Sequence, residues 1–337
     1  MATKNSFCMQ KSNSRYGRLL FFLMGALIVT GCQTKRPRSD FHKQGAGPIL
    51  TEPVEATATD AKSQVLQENR TEVPAPTVWQ KSGQKKVAVV LGPGGAKAFA
   101  HVGVLKALTQ NRVPIDKVVG LEWGALVGGV FASKGQVHEV EWKLYKMEQK
   151  DWLPKKGIFN RQTSGASVNS MGDFFKDAFG NMELGNFKIP FACSSRSLWT
   201  ATLVMQNKGY AKDVMKKCLP FPPLFQVKGS FIAAPSHAMD VVRGLKAEGY
   251  DIVLLVDVLG SAQPVGQDAL MEYASDVILW QDIRREVRWA RALATDVIEV
   301  DTSAYPMSKF DARKELVELG ESASRNSVSA FLNKYDF

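Results

Sequence analysis

Short apolar runs ending in glycine set the frame of this chain. Val87-Ala88-Val89-Val90-Leu91 is uninterrupted hydrophobic and stops at Gly92-Pro93-Gly94-Gly95, which predicts a strand closed by a tight turn. Val102, Leu105 and Leu108 then recur at helical spacing, predicting a helix over Ala98–Leu108. A second strand, Lys117-Val118-Val119, runs into Gly120 and a small-residue helix from Gly124 to Ala132. The near-continuous apolar stretch Asp251–Val258 reads as a strand buried on both faces. Strands alternating with helices predict a mainly parallel sheet covered on both faces, in one domain over residues 85–337.

The first 84 residues are patterned differently. Lys4, Lys11, Arg15 and Arg18 precede an apolar run, Leu19–Val29, too short for the roughly 20 residues a membrane span needs. A basic segment before a short apolar one is the signature of a secretory signal peptide. The run closes on Val29-Thr30-Gly31-Cys32, which resembles the bacterial lipobox and implies removal of residues 1–31 and acylation of Cys32. An ordinary signal peptide or signal anchor is the plainer alternative. Gln33, rather than Asp, after the cysteine resembles sorting to an outer membrane, facing the periplasm. Residues 32–84 show no periodicity and hold Pro37, Pro48, Pro53, Pro74 and Pro76 among polar residues, which reads as a flexible tether.

Charge changes meaning once this is seen. The chain carries 43 Lys+Arg against 33 Asp+Glu, a formal +10, which taken whole suggests nucleic acid or anionic lipid. Four of those positive charges lie in the leader without an acid, so residues 32–337 carry +6. Asp282–Leu293 places Arg284, Arg288 and Arg291 on one helical face beside Trp289, either a solvated face with salt bridges or a surface for lipid head groups or a partner. No base-stacking aromatic array accompanies it, so nucleic acid is not expected. Of 4 cysteines, Cys193 and Cys218 remain after Cys8 is cut away and Cys32 acylated. Two packed thiols are expected, with a disulfide permitted in an oxidising compartment.

Gly92-Pro93-Gly94-Gly95-Ala96-Lys97, between a strand and a helix start, can converge backbone N–H groups on an anion. It lacks the GxxxxGK[ST] spacing of a phosphate loop, leaving an oxyanion-binding loop or a plain tight turn. The second strand-to-helix turn, Gly120-Leu121-Glu122-Trp123-Gly124, has the frame of a G-x-S-x-G nucleophile elbow with Glu122 at its centre.

These segments in this order resemble the patatin-like phospholipase family. The likeness continues through His101-Val102-Gly103, Phe187-Lys188-Ile189-Pro190, Cys218–Phe225 and the DIVLLVDV strand, covering roughly 85–333. It implies a three-layer α/β sandwich and acyl hydrolysis by a Ser–Asp dyad with an oxyanion loop. The loop maps onto Gly92, Gly94, Gly95 and Lys97. The nucleophile position carries Glu122, and the aspartate position falls on Ala233 or, in another register, Ser230. No Asp occurs between Asp213 and Asp240.

The resemblance therefore implies a site that has lost hydrolysis, in a protein that binds a lipid or an envelope protein, with self-association left open. Glu122 is expected to place its carboxylate on amides near Gly94 and Gly95, with Lys97 close by. Trp123 is expected to fill the acyl cleft, or else to pack outward and leave Glu122 solvated. Two hydrolytic alternatives are a carboxylate nucleophile at Glu122 and a displaced Ser236-His237 pair. His101 reads as packing. With His42 and His138 isolated, neither a metal nor another cofactor is expected.

Overall fold

A computed structural model describes residues 85–147, 165–227, 229–260 and 274–337. The expected leader, Cys32 and the expected tether fall on residues 1–84, outside the described residues. In chain order, β1 (Val87–Leu91) leads through a 3-10 turn to α1 (Ala100–Gln110), β2 (Lys117–Gly120), α2 (Trp123–Lys134) and α3 (Val137–Lys146). Next come α4 (Gly172–Phe179), β3 (Phe191–Ser197), β4 (Leu203–Gln206), α5 (Ala211–Cys218) and β5 (Phe231–Ala233). The described chain ends with α6 (Ala238–Ala247), β6 (Ile252–Asp257), α7 (Ala274–Leu293), β7 (Asp296–Glu299) and α8 (Arg313–Tyr335).

The sheet runs β4-β3-β2-β1-β6-β7, with β5 paired to β3. β1 lies parallel to β2 and β6, with Leu91 opposite both Gly120 and Val256. β3 and β7 continue the parallel set, while β4 and β5 run antiparallel to β3. The mainly parallel sheet expected from the alternation is therefore present.

Side-chain alternation explains why β1 is apolar throughout. Successive residues point to opposite faces, and here both faces are covered. Val87, Val89 and Leu91 join Leu105 of α1, Leu126 of α2 and Phe331 of α8. Ala88 and Val90 join Val241 and Leu245 of α6 and Trp280 and Val287 of α7. On the first face α1 and α8 cross closely: a Cβ on Gly103 would lie 2.0 Å from the Val317 carbonyl oxygen, and one on Gly320 would lie 2.0 Å from that of Ala100.

Three expectations are corrected, and the α7 arginines take the salt-bridged alternative. The first helix opens as a 3-10 turn, Gly95–Phe99, because Gly95 has φ 57° and the Ala96 amide is held by Met307 O at 2.8 Å. The second helix begins at Trp123 and runs to Lys134, ended by Gly135 at φ 65°. Cys193 and Cys218 form a disulfide rather than packed thiols, because β3 and the last turn of α5 bring their Cα atoms to 6.0 Å. The basic face of α7 is largely engaged: Arg284 donates to Gly260 O, and Arg291 pairs with Asp257 and Glu299. Arg288 and Trp289 stay exposed.

Candidate functional site

The site lies at the carboxyl ends of β1 and β2, where an open α/β sheet places its ligands. Leaving β1, the Gly92 amide donates to Val256 O at 3.0 Å, and the Leu121 amide after β2 donates to Leu91 O at 3.0 Å. The two turns are thereby packed against each other. A Cβ on Gly124 would lie 2.4 Å from Leu91 O and 2.5 Å from Gly92 O; one on Gly120 would lie 2.2 Å from Ala125 Cα. Both glycines of the elbow are required by this approach.

Glu122 occupies the elbow's apex at φ 53°, ψ −123°. That is a strained conformation for a residue with a Cβ, of the order of 1–3 kcal/mol. The strain turns the side chain toward the glycine loop. Oε2 accepts from the Gly94 and Gly95 amides, each at 3.0 Å. Oε1 is buried without a hydrogen-bonding partner, and the residue is 0% exposed. Burial pushes the carboxyl up to about 7, opposed by the nearby amides of Trp123, Gly94 and Gly95.

Trp123 does not pack outward. It is fully buried, with ring centroids 4.7 Å from Phe310, 6.2 Å from Phe225 and 6.3 Å from Phe99. The indole fills the space beside the elbow, and Glu122 is not solvated. Lys97 sends its ammonium to Leu259 O at 3.4 Å. His101, read as packing, is buried in α1 with Nε2 2.8 Å from Gly92 O. A carbonyl only accepts, so Nε2 carries the proton. Burial lowers His101 to about 4, so the ring is neutral at pH 7.

No carboxylate stands at either aspartate register. Ala233 is buried on β5 opposite Ser195, and Ser230 is exposed in the preceding turn. The buried hydroxyls nearby are occupied: Ser194 donates to Ala234 O at 3.3 Å, and Ser195 donates to Val204 O while accepting from Gln206. His237 lies 3.0 Å from Asp240, which also accepts from Arg243. This half-exposed cluster opens α6, remote in sequence from the glycine loop.

Sequence reasoning missed two features. Phe99, Phe225 and Phe310 form the aromatic wall around Trp123, from segments far apart in the chain. Asp257, the one acid deep in the DIVLLVDV run, accepts from the Leu259 amide at 2.9 Å and from Arg291 at 3.3 Å. Burial raises its carboxyl above the usual range. An acid at the end of an otherwise apolar strand was the available signal. Among the described residues, no group of three His, Cys, Asp or Glu is placed to hold a metal ion.

The family model of patatin-like phospholipases matches residues 89–245. The chain is similar to the lysophospholipase NTE1 of Coccidioides immitis, at 28% identity over 52% of this chain and 12% of that protein. The lysophospholipase nte1 of Neurospora crassa is 27% identical over the same shares. The chain thus spans about an eighth of the length of these curated relatives. Among solved structures, VipD from Legionella pneumophila aligns with 73% of this chain and 67% of its own, at 12% identity and a TM-score of 0.45. From the glycine loop through the elbow to α6, this chain carries a patatin-like phospholipase domain.

Proposed function

We propose that this domain no longer hydrolyses acyl esters and acts instead by binding a lipid or protein partner at the cell envelope, held there through acylated Cys32. One observation carries the first half: Glu122 Oε2 sits on the Gly94 and Gly95 amides. Those are the donors a tetrahedral oxyanion needs, and in this chain a side chain occupies them already. The buried Trp123 closes the space beside them, and neither Ala233 nor Ser230 supplies a base. The basic leader, the short apolar run and Val29-Thr30-Gly31-Cys32 support the anchoring, to an outer membrane by Gln33. More than one acyl chain makes such an anchor stable.

The relatives' name makes lysophospholipid the substrate to test, beside diacyl phospholipid and short-chain esters. The expected result is no turnover above buffer by the purified chain. Robust turnover that disappears in Glu122→Ala or Ser236→Ala overturns the reading in favour of a displaced hydrolytic site. For the anchor, a mature N-terminal peptide starting at Cys32 with acyl mass is expected, and Cys32→Ala should release the protein from membranes.

A further inference from the structure

The net positive charge of residues 85–337 falls in one stretch of sequence. Residues 184–239 hold seven Lys/Arg and one acid, Asp213, while the remainder of 85–337 holds 25 Lys/Arg and 26 Asp/Glu. That segment is the β3–β4–α5–β5 edge. It also holds four of the exposed large hydrophobic residues: Leu198, Trp199, Tyr210 and Val227.

Two of these, Leu198 and Trp199, sit at one tip. β3 ends its pairing with β2 at Cys193 and continues to Ser197, about 13 Å farther at the rise of a strand. It therefore projects from the same edge that carries the glycine loop and Glu122. The hairpin turn beyond it presents Trp199, 85% exposed, and Leu198, 45% exposed. The turn is built rather than loose: Ala201 has φ 55°, Arg196 Nε donates to Ala201 O at 3.1 Å, and the Thr200 and Thr202 hydroxyls meet at 2.7 Å. The Leu198 amide donates to Ser230 O at 2.9 Å, which brings the start of β5 against the tip. Lys217 lies over the Phe231 ring at 5.3 Å, and Phe231 pairs with Ser197.

We propose that this hairpin docks the domain onto an anionic phospholipid bilayer, with Trp199 and Leu198 entering the interface and Arg196 and Lys217 against the head groups. A tryptophan at a rigid, projecting tip suits the amphipathic interface, where its ring is apolar and its N–H meets water. Arg196 in the tip and Lys217 over the Phe231 ring supply attraction to anionic lipid. Docking this way turns the Glu122 edge of the sheet toward the membrane. The inference extends the membrane placement proposed above, but does not require Cys32 acylation or the loss of hydrolysis.

The test uses the full chain with Cys8→Ser and Cys32→Ser, so that acylation cannot contribute, and a fluorophore attached through Trp199→Cys. The control carries it through Ser329→Cys, an exposed position on α8. With vesicles of phosphatidylglycerol and phosphatidylcholine bearing brominated acyl chains, the label at 199 should be quenched and that at 329 should not. Binding should fall sharply on phosphatidylcholine alone, and Lys217→Gln should weaken it roughly fivefold. A chain that sediments with vesicles while the label at 199 stays unquenched is attached by its leader alone, and overturns the proposal. Absence of binding, equal quenching on neutral vesicles, or no effect of Lys217→Gln also overturns it.

Discussion

Glu122 and His101 hold the same glycine loop with opposite polarity. Glu122 accepts from the Gly94 and Gly95 amides, and His101 Nε2 donates to the Gly92 carbonyl. Both side chains are fully buried, and burial moves both toward their neutral forms: the carboxyl from 4.5 up to about 7, the imidazole from 6.5 down to about 4. At mildly acidic pH both groups that hold the loop are therefore largely neutral.

The two shifts act on stability with opposite signs. A raised carboxyl binds its proton better in the fold, so its contribution is complete below pH 4.5 and is lost as pH rises to about 7. A lowered imidazole resists its proton in the fold, so its contribution is complete above pH 6.5 and is lost as pH falls to about 4. Across their overlap the two slopes nearly cancel. Glu122→Gln, which keeps an acceptor for the two amides, should unmask the histidine slope, with stability rising by about 3 kcal/mol from pH 4.5 to 6.5. His101→Gln should unmask the reverse. Urea unfolding at a series of pH values reads both; parallel pH profiles in the two variants would refute the assignment.

The strand-turn-helix pairs were legible because each depends on local pattern: an apolar run, then glycines at a spacing that only a close turn needs. Glu122's contact with the loop was legible for the same reason, since both turns leave neighbouring parallel strands. The aromatic wall was not, because Phe99, Phe225 and Phe310 meet Trp123 only through tertiary packing. The Cys193–Cys218 pairing was open for a related reason. Separation along the chain says nothing of whether β3 and α5 place two sulfur atoms in reach. The α7 arginines stayed open between a salt-bridged face and a lipid or partner surface, because helical spacing gives a common face without saying what that face meets.

Trp123 should be a major stabilising residue as well as the filling of the cleft. Its indole is packed against three phenylalanines, and deletion leaves a cavity among them. Trp123→Ala should cost about 3–5 kcal/mol. The variant, if it folds, should bind a small apolar probe that the parent excludes. Chemical denaturation and probe fluorescence check the two parts separately.

The crossing of α1 and α8 depends on Gly103 and Gly320 together. Each hydrogen stands where a methyl would strike the other helix's backbone oxygen at 2.0 Å. Backbone cannot rotate away as a side chain does, so Gly103→Ala should force the helices apart and cost about 1–3 kcal/mol or more. Gly320→Ala should do likewise. Separation that relieves one clash also relieves the other, so the double variant should cost less than the sum of the singles. Additive losses in thermal or urea unfolding would show that the two contacts are independent.

Reduction of Cys193–Cys218 should loosen the edge of the sheet that projects the Trp199 hairpin. The bond joins β3 to the end of α5 across a sequence separation of 25 residues, and both cysteines are 0% exposed. A crosslink of that span removes about 3 kcal/mol of chain entropy from the unfolded state. Because the sulfurs are buried, reductant should act only as fast as this edge opens, far more slowly than on an exposed disulfide. Loss of stability in Cys193→Ala/Cys218→Ala should therefore match that of the slowly reduced parent. Amide exchange should accelerate in β3, β4 and α5 before it does in β1 and β6. Uniform acceleration across the sheet would mean instead that the bond stabilises the domain as one cooperative unit.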